Sequence, residues 1–247
     1  MKLRLSIGLA LVVLVTACSS GTTVNPEEPA TIGDLDAAVQ TASRALLARD
    51  AIPIVAAYFG VDDTEKIIRY DWVDYRTAGD VLAVFNFLDR SHIEGISHSG
   101  GRWMTALISA EETHPWQADS LGTPAEAIPA ISRLEAMTTQ QTADQSGAVA
   151  TRQTASDGST RWALTTPRDD GTGSLTQEWI VNPNGLVQFY RVSSDAGLGD
   201  GAGAIVFEYG VADAEPDPII VPVEGTPLVL DDLGIPQALR DVETLEE

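Results

Sequence analysis

Three histidines, a Ser-His-Ser triplet, a glycine-rich loop and a single cysteine are the features of this chain whose residue types suit chemistry. His92-Ile93-Glu94 has the His-x-Glu spacing that zinc deaminases complete with a Cys-x-x-Cys pair. No such pair exists here, because Cys18 is the sole cysteine. Glu94, Glu111 and Glu112 could join His92, His98 or His114 in a mixed metal site. No i, i+4 histidine pair or other ligand spacing supports one, and solvated loop histidines are the simpler expectation. Gly95-Ile96-Ser97-His98-Ser99 departs from the Gly-x-Ser-x-Gly elbow at its last position. Nothing in the sequence places a base and an orienting acid beside that serine. The run Gly197 to Gly203 contains Asp200, with Asp195 just before it, but no Lys or Arg. It lacks the Gly-Lys-Ser/Thr ending of a phosphate loop, so a hairpin loop is expected, with weak calcium binding as the alternative. No catalytic residue, metal or cofactor is therefore predicted.

Cys18 is the exception, because of what precedes it. Lys2 and Arg4 start the chain with positive charge, and Leu5 to Val15 is a largely apolar run. Val15-Thr16-Ala17 then places small residues before the cysteine, which is the layout of an export signal. The run is too short for a membrane-spanning helix, which needs roughly 20 apolar residues. Val-Thr-Ala-Cys resembles the lipobox of bacterial lipoproteins, where the thiol is acylated and the cysteine becomes the new first residue. The resemblance implies a signal peptide at residues 1–17 and a lipid anchor at Cys18 on the extracytoplasmic face of the cell membrane. Ordinary secretion with a bare thiol is the alternative. Two acyl chains, at roughly 0.8 kcal/mol per buried CH₂, anchor stably where one does not. Residues 18–31 are small, polar and proline-bearing and read as a flexible tether.

Charge narrows the partners. The chain carries −21, and loss of Lys2 and Arg4 with the leader takes the remaining 230 residues to −23. Nucleic acid needs a basic surface and is excluded as a partner. Thirteen of the fifteen basic residues are arginine, which hints at a GC-rich genome such as an actinobacterium's.

The elements follow from periodicity. Ile32, Leu35, Val39, Ala42 and Leu46 recur at steps of three and four, so residues 32–49 are expected to form a helix. Residues 50–59 are apolar but interrupted by Pro53, and periodicity settles nothing there. Strands are expected over 67–75, 81–88 and 102–109. A second helix is expected over 124–140, capped by Thr123 with Glu126 and broken at Pro129. Two hairpins follow, 149–153 with 160–165 about Ser156-Asp157-Gly158, and 175–181 with 186–192 about Asn182-Pro183-Asn184-Gly185. Residues 204–209 add a strand, and the proline-rich stretch 216–230 reads as an edge strand. Short turns between successive strands make the sheet antiparallel. No internal repeat or domain boundary interrupts residues 32–247, so one domain is expected.

The aromatic residues Trp103, Trp162, Trp179, Phe189 and Phe207 all fall in these strands. They are either ordinary core or the lining of an apolar pocket that faces Ile131 and Leu134 of the second helix.

In order, the chain reads lipobox, tether, helix, strands, interrupted helix, antiparallel meander. This order resembles the LolA-like superfamily and, within it, the LppX/LprG type of actinobacterial lipoproteins. Gly101-Arg102-Trp103-Met104, Gly158 to Leu164, Trp179-Ile180-Val181-Asn182 with Gly185-Leu186, Tyr209 and Pro218-Ile219-Ile220-Val221-Pro222 carry the resemblance. It implies an α+β domain whose strongly curved antiparallel sheet, a half-barrel, packs against about two principal helices. It also implies an apolar cavity for a lipid or other amphiphile, without enzymatic activity. A protein-interaction or regulatory module that engages another envelope protein is the alternative.

Overall fold

The computed structural model describes residues 24–62, 66–88, 91–142, 147–168, 171, 173–198, 201–211 and 218–233. Cys18 and the leader lie outside them. Within the described residues, no helix is long and apolar enough to cross a membrane. The fold is α+β. Twelve strands run β1 (Glu28–Ala30), β2 (Ala51–Gly60), β3 (Ile67–Arg76), β4 (Val81–Phe87), β5 (His92–Ser99), β6 (Arg102–Ser109), β7 (Thr113–Asp119), β8 (Val149–Thr154), β9 (Thr160–Pro167), β10 (Ser174–Val181), β11 (Val187–Ser194) and β12 (Ala202–Tyr209). Helix α1 (Ile32–Leu47) precedes β2, and α2 (Pro124–Ala127) and α3 (Pro129–Met137) separate β7 from β8.

The strands form one sheet in the order β1-β8-β9-β10-β11-β12-β2-β3-β4-β5-β6-β7. Two meanders, β2–β7 and β8–β12, are joined where β12 pairs antiparallel with β2. The sheet is open, and it curls. Ala150 on β8 and Trp103 on β6 are nine strand steps apart, roughly 43 Å if the sheet were flat. Both nevertheless belong to one core with α1 and α3. Only a strongly curved sheet brings them under the same two helices, since a helix is about 10 Å across.

α1 forms as its spacing predicts. Thr31 caps it, accepting from the Asp34 amide at 3.0 Å, and Leu35, Val39, Ala42 and Leu46 are buried. The predicted second helix splits at the proline. Thr123 and Glu126 form a reciprocal capping box, with Glu126 Oε2 accepting from the Thr123 amide at 2.6 Å. Ile128 is extended and Pro129 then opens α3, where its missing N–H would have no helical partner anyway.

One open stretch is resolved and three expectations are corrected. Residues 51–60, left unassigned because of Pro53, form the strand that joins the two meanders. The Pro53 carbonyl accepts from the Gly210 amide at 2.8 Å, just past the end of β12, so no bond needs the missing N–H. His92 and His98 are not loop residues but lie in β5, a strand the pattern did not reveal. His114 lies in β7, another such strand. The stretch 216–230 is not an edge strand. Among its described residues, 218–229 form neither helix nor strand and turn at Glu224-Gly225, and they lie across the outer face of the sheet as a strap. Finally, residues 24–31 do not hang free in the tether. Val24 bridges Ala155, and β1 pairs with β8.

The strap explains Gly95. A Cβ there would meet Trp116 Cη2 at 2.8 Å and the Leu228 methyls at 3.1 and 3.2 Å. Gly95→Ala is accordingly expected to cost about 1–3 kcal/mol by overpacking. Hydrogen exchange would report it, as faster exchange at the Trp116 amide, which donates to Thr226 O at 2.9 Å.

Candidate ligand-binding site

Alternation along the strands sorts the predicted lining residues by face. Trp103, Trp162, Trp179 and Phe207 point to the inner face and share one core with Ile131 and Leu134 of α3. Phe189 does not. Its neighbour Tyr190 is in that core, and successive strand residues point to opposite faces, so Phe189 is buried on the outer side. Six of the seven residues thus come together, and the seventh is a correction.

Their polar atoms are tied to the helical layer. Trp179 Nε1 donates to Met137 Sδ at 3.2 Å, and Trp103 Nε1 donates to the Gly122 carbonyl at 3.0 Å. Trp179 packs on Tyr190 at 5.5 Å, Tyr190 on Phe207 at 5.9 Å, and Phe207 on Tyr209 at 6.4 Å between ring centroids. Arg133 of α3 places its guanidinium 5.2 Å from the Tyr190 ring. The interior is therefore an aromatic floor beneath α1 and α3. Trp179, Ile131 and Leu134 are fully buried in it.

Two hydroxyls break this apolar pattern. Tyr209 Oη and Ser43 Oγ are buried with no hydrogen-bond partner among the described residues. An unpaired buried hydroxyl costs about 1–3 kcal/mol. Burial pushes the Tyr209 hydroxyl well above its ordinary range and the Tyr190 hydroxyl up to about 12, so both stay protonated donors at neutral pH.

Beside the interior lies an open cleft of about 640 Å³. Leu47 ends α1 there, Tyr75 and Thr77 come from β3 and its turn, and Ser132, Glu135, Ala136, Thr138 and Thr139 come from α3 and its C-terminal end. None of these was singled out in the sequence. Ser132, Glu135 and Ala136 stand between the core residues Ile131, Leu134 and Met137, where periodicity reads only a solvated face. Arg44 Nη2 and Gln40 Nε2 tie α1 across to the carbonyls of Thr138 and Gln140, each at 2.6 Å.

Toward the other end of the inner face, Arg69 and Asp71 form a two-bonded ion pair at 2.6 and 2.9 Å. Burial outweighs Arg69 and raises the Asp71 carboxyl to about 6, and Glu94 nearby adds to the rise. Arg69 stays charged, held by Asp71 and stacked over Tyr58, Phe85 and Phe87 at 4.6, 5.0 and 4.5 Å.

The hydrolase and metal patterns do not assemble. Ser97 and His98 are consecutive strand residues on opposite faces, and His98 Nδ1 donates to the Gly79 carbonyl at 2.7 Å. His92 Nε2 lies 3.2 Å from Glu94 Oε1, and its ring stacks on Phe87 at 4.3 Å. Among the described residues, no three His, Cys, Asp or Glu side chains group as a metal site.

No family model matches the chain, and no curated protein matches it. Among solved structures, it is similar to the crystal structure of LprF from Mycobacterium bovis. The identity is 11%, the match covers 77% of this chain and 98% of that one, and the TM-score is 0.37.

Proposed function

We propose that this chain is an envelope lipoprotein, held on the extracytoplasmic face of the cell membrane by acylated Cys18, that binds a lipid or other amphiphile without catalysis. The binding space is the aromatic interior between the curved sheet and its two helices, entered through the cleft between α1 and α3. The observation that carries this reading is the pair of buried hydroxyls, Tyr209 and Ser43, left without a partner among the described residues of the aromatic interior. An ester or amide carbonyl among acyl chains would accept from Tyr209 and Ser43, while the chains bury apolar area at about 25 cal/mol per Å². α3 is the element that gives way on loading. It has nine residues, begins after the extended Ile128, and touches the sheet through contacts such as Trp179 with Met137.

Native mass spectrometry of protein extracted from its own membrane tests this. The expected spectrum carries a non-covalent mass on the folded chain that solvent extraction removes and identifies as lipid. A spectrum showing only the acylated chain, in several detergents, would overturn the reading. A second reading, docking onto another envelope protein, is favoured by Ile220 and Val223 of the strap, 84% and 68% exposed. Cross-links from that strap to one partner, with no bound lipid, would decide for it.

A further inference from the structure

The antiparallel register fixes which parts of the molecule share an end of the sheet. Val24 is held at one such end by its bridge to Ala155. Asn25 reinforces it, donating to the Thr154 carbonyl at 3.1 Å and accepting from Gln153 at 3.0 Å. From Thr154 the pairing runs to Thr160, then Val181, then Val187. Past β11 it continues at the same level through Tyr209 opposite Ile54, and Ile52 opposite Tyr75 opposite Val81. The β3–β4 turn with Thr77 therefore lies at the Val24 end. α1 also finishes there, because Leu47 leads into β2 at Ala51. These residues frame the cleft. The β4–β5 and β6–β7 turns lie at the opposite end.

We infer that the end of the sheet bearing the cleft is the membrane-facing end, so that the cleft exchanges lipid directly with the bilayer in which the anchor sits. The inference rests on the reading of Cys18 as the acylated residue. Only residues 18–23 separate that thiol from Val24, and six residues reach at most roughly 20 Å in any conformation. A strand of eight residues is about 26 Å long. The far turns therefore stand farther from the anchor than the leash alone can reach, whereas the cleft end begins where the leash is fastened. The occupant facing the cleft is a phospholipid surface, and the acyl chains it supplies need no separate soluble carrier to arrive.

The acylated full chain, reconstituted in vesicles of phosphatidylcholine and phosphatidylglycerol, provides the test. Acylation blocks the only native thiol, so one introduced cysteine carries a fluorophore. Ala78→Cys labels the exposed β3–β4 turn and Glu111→Cys the exposed β6–β7 turn. With a headgroup-attached quencher in the vesicles, the label at 78 is expected to be quenched at least threefold more than the label at 111. Twenty Gly/Ser residues inserted after Thr23 are expected to shrink that difference toward onefold. Equal quenching, or stronger quenching at 111, in protein that floats with the vesicles overturns the orientation and leaves the lipid-binding reading standing. Failure to float, with an unmodified Cys18 by mass, removes the anchor and the orientation together. A chain that floats, shows the threefold difference and carries no extractable lipid upholds the orientation while overturning the lipid-binding reading.

Discussion

Trp179→Ala is expected to lower the free energy of unfolding by about 3–5 kcal/mol, the range for removing a large buried aromatic. Trp179 is fully buried, faces Trp162 and Tyr190 across its two strand neighbours, and is hydrogen-bonded to Met137 of α3. The substitution removes apolar area from the sheet and a point of attachment from α3 at once. Urea titration would measure it as a fall in the midpoint with little change in slope. A loss below about 1 kcal/mol would mean that the helices rest loosely on the sheet, contrary to this packing.

Arg69→Met is expected to have an effect of similar size, but one that depends on pH. Asp71 is buried and loses the Arg69 guanidinium that pairs with it, which typically costs about 3–5 kcal/mol. The loss should be largest above pH 7, where Asp71 is charged, and should shrink in acid. The native protein has a related dependence. Its folded state raises the Asp71 carboxyl from 3.8 to about 6, so it holds that proton more tightly than the unfolded chain does. Stability from this group is fully present below about pH 4 and declines as pH rises through 6, by about 3 kcal/mol for a shift of two pH units. Asp71→Asn should flatten that slope in thermal melts between pH 4 and 8. A slope unchanged in the variant would show that another group sets the dependence.

Local pattern carried much of the fold. The three-and-four spacing located α1, the Thr123–Glu126 box and Pro129 located the split helix, and Ser156–Gly158 and Asn182–Gly185 located two hairpins. What stayed hidden depends on neighbours distant in sequence. β2 tolerates Pro53 because Gly210, far along the chain, uses only its carbonyl. β5 looked like a loop because Gly95 and polar residues interrupt it, yet Gly95 is needed for Trp116 and Leu228 to pass. In the site, Phe189 and Tyr190 are equally apolar neighbours, and only the register of β10 against β11 decides which one faces the helices. The cleft was not legible at all. Its walls come from α1, the β3–β4 turn and α3, and no spacing rule links them.

The two outermost strands of the open sheet end in different ways. On one side β1 and the preceding Val24 and Asn25 cover the flank of β8, while on the other the amide and carbonyl of Trp116 are taken by Thr226 and Gly225 of the strap. Unpaired rows of peptide groups recruit like rows from other molecules. With its peptide groups at Trp116 already taken, the middle of the β7 flank is withheld as a template for chain-to-chain polymerisation.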